Sequence, residues 1–160
     1  MTLDELDAYG MVRMDDDEIR AYLSGQSVGV LGLPTGEGVP LLRPLSFGFD
    51  GEDTLYFVYV LGAESRKREV SDWADRASFL VYSADTPFNW RSVLLAGHVE
   101  EVPDDDHEVA LTATEHAWRP DVFAAAIEGE ATALYRFEIE EWTGLKHLGL
   151  PPELETEGIE

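Results

Sequence analysis

Apolar positions recur along the chain in two rhythms. After Asp15-Asp16-Asp17, the residues Ile19, Tyr22 and Leu23 follow helical spacing, and Gly25 closes the run. The pattern predicts a short amphipathic helix with an aspartate N-cap, an acidic first turn and a glycine at C′. From 27 to 33 the chain turns apolar and β-branched and stops at Pro34 and the turn-forming Thr35-Gly36-Glu37-Gly38, which predicts a strand. A second strand is expected over 39–49. Its Pro40 and Pro44 cannot donate ladder hydrogen bonds, so it must lie at an edge or carry a bulge. After the turn Asp50-Gly51-Glu52-Asp53, the segment 54–61 places Leu55, Phe57, Tyr59 and Leu61 on one face and Tyr56, Val58 and Val60 on the other, and both faces need cover. Beyond Gly62, 65–74 reads as a helix with Val70, Trp73 and Ala74 on one stripe. Strands are expected over 77–84 and 92–102, the second marked by Gly97. Asp104-Asp105-Asp106 should cap a helix running to about His116, a short helix should span 121–127, and 132–142 alternates as the last strand.

Six strands, several apolar on both faces, with helices between some of them, predict an α+β fold with a mainly antiparallel sheet. A chain this short covers both faces if the sheet closes into a barrel and part of the outer face meets a second copy. The reading is a single domain over 1–147, followed by a Pro- and Glu-rich acidic tail over 148–160. The uncovered strand faces predict a homodimer burying roughly 2,000 Å² or more in total.

Charge changes the picture of possible partners. Thirty-three Asp and Glu against eleven Lys and Arg give a formal net charge of −22. Nucleic acid and anionic membranes are held by basic patches, so neither is an expected partner. Four Trp, six Tyr and seven Phe supply enough apolar bulk for a folded body rather than a disordered one. Dispersed carboxylates and only two lysines, Lys67 and Lys146, resemble proteins of halophilic archaea, in which molar salt screens self-repulsion. An acidic docking surface for a basic partner is the alternative. With no cysteine there is no disulfide and no thiolate chemistry. The N-terminus lacks the basic and apolar regions of a signal peptide and no apolar run reaches membrane-span length, so a cytoplasmic location is expected.

Where basic residues do cluster, they point to anion chemistry. Ser65-Arg66-Lys67-Arg68 stands at the start of an expected helix, where free N–H groups and positive side chains suit a phosphate; salt bridges to Glu64, Glu69 and Asp72 are the structural alternative. Strict alternation sets Arg43 on the face of Leu45 and Phe47, where a guanidinium needs an anion or an escape to solvent. No metal-ligand spacing is present: His107 and His116 fall on opposing helix faces, and His98 and His147 stand alone. Neither a nucleophile elbow nor a phosphate-binding Walker loop occurs. Trp73, Trp90, Trp118 and Trp142 read as core or interface residues.

Arg43-Pro44-Leu45-Ser46-Phe47, Leu55 to Tyr59, Ser65-Arg66-Lys67, Asn89-Trp90-Arg91-Ser92-Val93 and Gly97, in this order and spacing, resemble the FMN-binding split-barrel proteins related to pyridoxamine 5′-phosphate oxidase. The similarity is nearest to the branch with nitroimidazole-resistance proteins, and it covers residues 18–102 and more loosely the last strand. The resemblance implies FMN at a dimer interface, with Ser65, Arg66 and Lys67 on the phosphate. It also implies that Arg43, Pro44, Leu45 and Ser46 contact the ring or ribityl chain, with Tyr59 and Ser92 nearby. A flavin-dependent oxidoreductase acting on a small molecule is the function implied. A flavin carrier or sensor, or a deazaflavin or haem binder on the same barrel, are the alternatives. The oxidases proper end in an Arg-Leu-x-Pro motif, whereas the last strand here reads Tyr135-Arg136-Phe137-Glu138, which argues against pyridoxamine phosphate as substrate.

Overall fold

A computed structural model describes residues 10–60, 76–114 and 132–149. Its elements in chain order are β1 (Met11–Met14), α1 (Asp16–Ser24), β2 (Val28–Leu33), β3 (Leu41–Ser46), β4 (Gly48–Phe49), β5 (Thr54–Val60), β6 (Ala77–Thr86), β7 (Asn89–Glu101), a 3₁₀ turn (Asp104–Asp106), α2 (His107–Ala113) and β8 (Thr132–Leu148). The expected helix over 65–74 and the one over 121–127 lie outside the described residues, as does the tail from residue 150.

All strand pairs are antiparallel, in the order β3-β2-β6-β7-β8-β5-β4, with β1 added to β8. The two ends of this order, β3 and β4, are separated in the chain by Phe47 alone. The sheet therefore curls until one chain segment serves both edges, which is a barrel split at Phe47. The Phe47 N–H leaves the β4 side and donates to Ser27 O at 2.9 Å. Both proline-based expectations hold at once. Pro44 lies opposite Val30 in β3, whose only ladder partner among the described residues is β2, and the strand is interrupted two residues later.

The described residues form eight strands rather than the six expected. Half of the difference is the split at Phe47; the other half is β1, four residues too short to show a period. The long pair also extends beyond expectation. β7 begins at Asn89, and β8 continues past Trp142 because 143–148 pair with β7 and, within that stretch, 144–147 also pair with β1.

Inside the barrel lie Leu31, Leu33, Phe47, Leu55, Phe57, Phe79, Val81, Val93, Leu95, Tyr135 and Phe137, each almost fully buried. Phe79 is central: its ring meets Phe47 edge-on at 5.4 Å between centroids, Phe137 at 6.0 Å and Phe57 stacked at 6.1 Å. α1 closes one end of the barrel. Asp15 caps it by accepting from Glu18 N at 2.8 Å, while Ile19 and Leu23 face the core. Trp142 Nε1 donates to Asp16 Oδ1 at 2.8 Å, Arg20 lies over the Trp142 ring, and Lys146 pairs with Glu18. Gly25, expected at C′, is instead the C-cap residue itself. Gly25 has φ −92° and ψ −3° and simply extends the last turn, its N–H bonded to Tyr22 O.

α2 covers a second, smaller cluster on the outer side of β5 and β8, formed by Tyr56, Val102, Ala110 and Leu134. The three aspartates before it do not cap it as expected: none makes a side-chain cap bond. Asp106 instead accepts from Arg136 at 3.2 Å. His107 takes over part of the anchoring, its Nε2 lying 3.1 Å from Val102 O.

Candidate functional site

The outer face of β3, β2, β6 and β7 has no cover among the described residues. Side chains opposite in phase to the core emerge there: Val28 is 48% exposed, Leu42 56%, Tyr82 59% and Leu94 49%, with Val30, Pro44 and Leu80 between them. A groove of about 500 Å³ opens at one end of this face, floored by Val28 and Val30, walled by Pro44 and Tyr82, and ended by the polar Gln26, Ser27 and Ser83. Its size and its apolar walls with a polar end fit a flat aromatic ligand.

Strand register locates the expected site residues. Ser46 lies opposite Val28, and Tyr82 lies opposite Ser92, which in turn faces Leu145. Continuing the β2–β6 register by two pairs beyond Val30 and Leu80 sets Val28 beside Tyr82, so Ser46, Val28, Tyr82 and Ser92 form one row across four strands. At about 4.8 Å per strand, Ser46 and Ser92 are roughly 14 Å apart. On the other side β3 comes alongside β5 where the barrel closes. The Arg43–Ser46 segment and the Tyr59 backbone, opposite Ala133, therefore share one flank. Arg43 keeps the core phase of the strand, opposite the buried Leu31, but its side chain is not held there. It is exposed, and its Nη1 donates to Leu42 O at 2.8 Å; an edge strand gives its long side chain a way out to solvent. Ser65, Arg66 and Lys67 lie outside the described residues, so the phosphate cradle expected of them does too.

Sequence reasoning missed Tyr82, the most exposed aromatic of this face. Its signal is the alternation in β6, which buries Phe79 and Val81 and leaves Tyr82 on the opposite phase. Two further groups stand apart from the groove. Arg136 is surrounded by three carboxylates: Glu100 at 2.6 Å, Asp106 at 3.2 Å and Glu138 at 3.4 Å. Partial burial and the adjacent Glu100 carboxylate push the Glu138 carboxyl above its ordinary pKa. Burial, and after it the Asp50 carboxylate, raise the Tyr56 phenol. His147, expected to stand alone, is buried edge-on to Phe88 and Trp90, and its Nε2 has no hydrogen-bond partner. Trp90 and Trp142 are both half-buried, Trp142 against the core, while Trp73 and Trp118 lie outside the described residues. His98, also expected to stand alone, pairs with Glu140. Among the described residues no cluster could hold a metal ion, and no helix is long and apolar enough to cross a membrane.

Known structures share this architecture. An FAD-binding protein from Mesorhizobium loti superposes with a TM-score of 0.68 at 23% identity, covering 87% of this chain and 98% of its own. A candidate 5-nitroimidazole antibiotic resistance protein from Bacteroides thetaiotaomicron gives 0.63 at 18% identity, covering 85% and 87%. A heme binding protein from Mycobacterium smegmatis gives 0.66 at 20% identity, covering 82% of this chain and 54% of its own. These likenesses establish the fold. No curated protein matches the sequence. The pyridoxamine 5′-phosphate oxidase family model matches residues 15–146, from the cap of α1 to Lys146 near the end of β8. On that match, the chain is a member of the pyridoxamine 5′-phosphate oxidase family.

Proposed function

We propose that this chain binds flavin mononucleotide on the outer sheet face, as a homodimer, and works as a flavin-dependent oxidoreductase on a small molecule. The observation that carries the reading is the groove between Pro44 and Tyr82. It is apolar on its walls and adjoins both the Arg43–Ser46 segment and an uncovered apolar face. Proteins of the same fold from Mesorhizobium loti and Mycobacterium smegmatis are FAD-binding, which supports a flavin as the cofactor class. When bound, the flavin supplies hydride or electron transfer.

The chain's own residues bind and orient. Val28, Val30, Pro44 and Tyr82 exclude water from a flat ring. Ser46 and Ser92 offer hydroxyls along the same row. Arg43, tied among the described residues only to a neighbouring carbonyl, is the cation available to negative charge on the ring. Ser65, Arg66 and Lys67 are assigned to the phosphate. A second copy seated on the apolar face removes Leu42, Tyr82 and Leu94 from water and brings a second row of hydroxyls to each groove. Pyridoxamine 5′-phosphate is not the proposed substrate, since Arg136 is already engaged by Glu100, Asp106 and Glu138.

Visible absorption of the purified protein, followed by chromatography of the released cofactor, tests this reading. A flavin spectrum with FMN released is expected. A protein that remains colourless after FMN titration, or one with a haem Soret band, overturns it. Replacing Arg66 and Lys67 by alanine should weaken FMN binding about tenfold or more while barely changing riboflavin binding; equal losses for both ligands would make that pair structural.

A further inference from the structure

In a molecule of net charge −22, almost every cation should find a carboxylate. Of the seven described Lys and Arg residues, Arg20, Arg76, Arg136 and Lys146 do so. Arg43 is bonded to a backbone carbonyl, and Arg91 lies on the row of Ser83 and Lys146 that faces α1. Arg13 is different: exposed on β1, it makes neither an ion pair nor a side-chain hydrogen bond with any described residue.

Register fixes where Arg13 stands. Met14 faces Gly144 on the core side, so Arg13 points to the outer phase, opposite Leu145. Leu145 faces Ser92, and Ser92 faces Tyr82. Arg13 therefore occupies the same row as the groove wall, two strand spacings or about 10 Å from Ser92, within the span of a ligand lying over Leu145. An anion approaching a surface this acidic is repelled unless a local cation reverses the potential, and on this row Arg13 is the only cation among the described residues.

We infer that Arg13 is a specificity residue that recognises an anionic group, carboxylate or phosphate, on a small molecule lying over Leu145 beside the flavin groove. The inference rests on the proposed groove but not on the identity of its cofactor. A matched pair of flat probes tests it: nicotinate, an anion, and nicotinamide, its neutral analogue, titrated by calorimetry into the purified protein at fixed ionic strength. Nicotinate should bind more tightly than nicotinamide despite the net charge. Arg13→Gln should cut nicotinate affinity about tenfold while leaving nicotinamide unchanged, and Arg13→Lys should restore most of the preference. Equal affinity for the two probes, binding of neither at millimolar concentration, or a preference that survives Arg13→Gln would overturn the inference. A protein without flavin that still shows the Arg13-dependent preference would separate failure of the cofactor reading from failure of this one.

Discussion

Phe79 touches three other phenylalanines from β5, β8 and the Phe47 junction, so its removal opens a cavity at the barrel centre. Phe79→Ala should cost about 3–5 kcal/mol of unfolding free energy, read from the denaturation midpoint. The cluster around Arg136 responds in the opposite sense. A carboxyl whose folded pKa is raised binds its proton more readily in the native state, so between the unfolded and folded values stability falls as pH rises. Glu138 is such a group, pushed up by burial and by Glu100. Glu138→Gln should therefore raise the melting temperature at neutral pH and leave it nearly unchanged well below pH 4. A variant less stable than the parent at pH 7 would show that Glu138 serves Arg136 more than it suffers from Glu100. At this scale the core was legible, because Leu55 and Phe57 alternate cleanly and are buried as expected. Arg43 was not, since alternation sets a side chain's phase and says nothing of whether an edge lets it escape.

The break at Phe47 converts one expected strand into two edges of a barrel, and what holds the second edge is close packing. At Gly48 a Cβ would come within 2.0 Å of the Ala113 carbonyl oxygen at the end of α2. Gly48→Ala should push α2 from the sheet and destabilise the fold by about 1–3 kcal/mol, with hydrogen exchange rising first in 107–113. Exchange that rises uniformly would place the cost elsewhere. Gly97 plays the matching part at the β7–β8 bulge, where a Cβ would stand 1.9 Å from Glu138 O. Sequence showed a glycine in the middle of a strand and two prolines in another, which marked the irregular places. It did not show which partner each half of the broken strand would take, because that depends on closure between elements far apart in the chain. β1 was invisible for a simpler reason: four residues give no period, and its pairing is dictated by the free edge of β8 between 144 and 147.

Over the whole molecule two features dominate, the charge of −22 and the apolar face across β3, β2, β6 and β7. They oppose each other in assembly, because pairing two copies through that face brings together two strongly negative bodies. Screening decides the balance: the Debye length is about 10 Å at 0.1 M salt and about 3 Å at 1 M. Both stability and association should therefore increase from about 0.1 M to about 3 M KCl, and an unchanged melting temperature across that range would count against a salt-adapted surface. The family was legible from short motifs in order: the Arg43–Phe47 motif lies at the closing flank and Ser92 on the open face, while Ser65-Arg66-Lys67 lies outside the described residues. The site's completeness was not, because Ser46 and Ser92 stand about three strands apart on one copy. On the proposed function, a flavin occupies a groove completed by pairing of two chains. Sedimentation velocity in molar KCl, followed at once in the protein band and in the visible flavin band, tests it most directly. A single dimeric boundary carrying one flavin per chain is expected. A monomeric boundary that carries flavin, or a dimer that carries none after FMN is supplied, would contradict it.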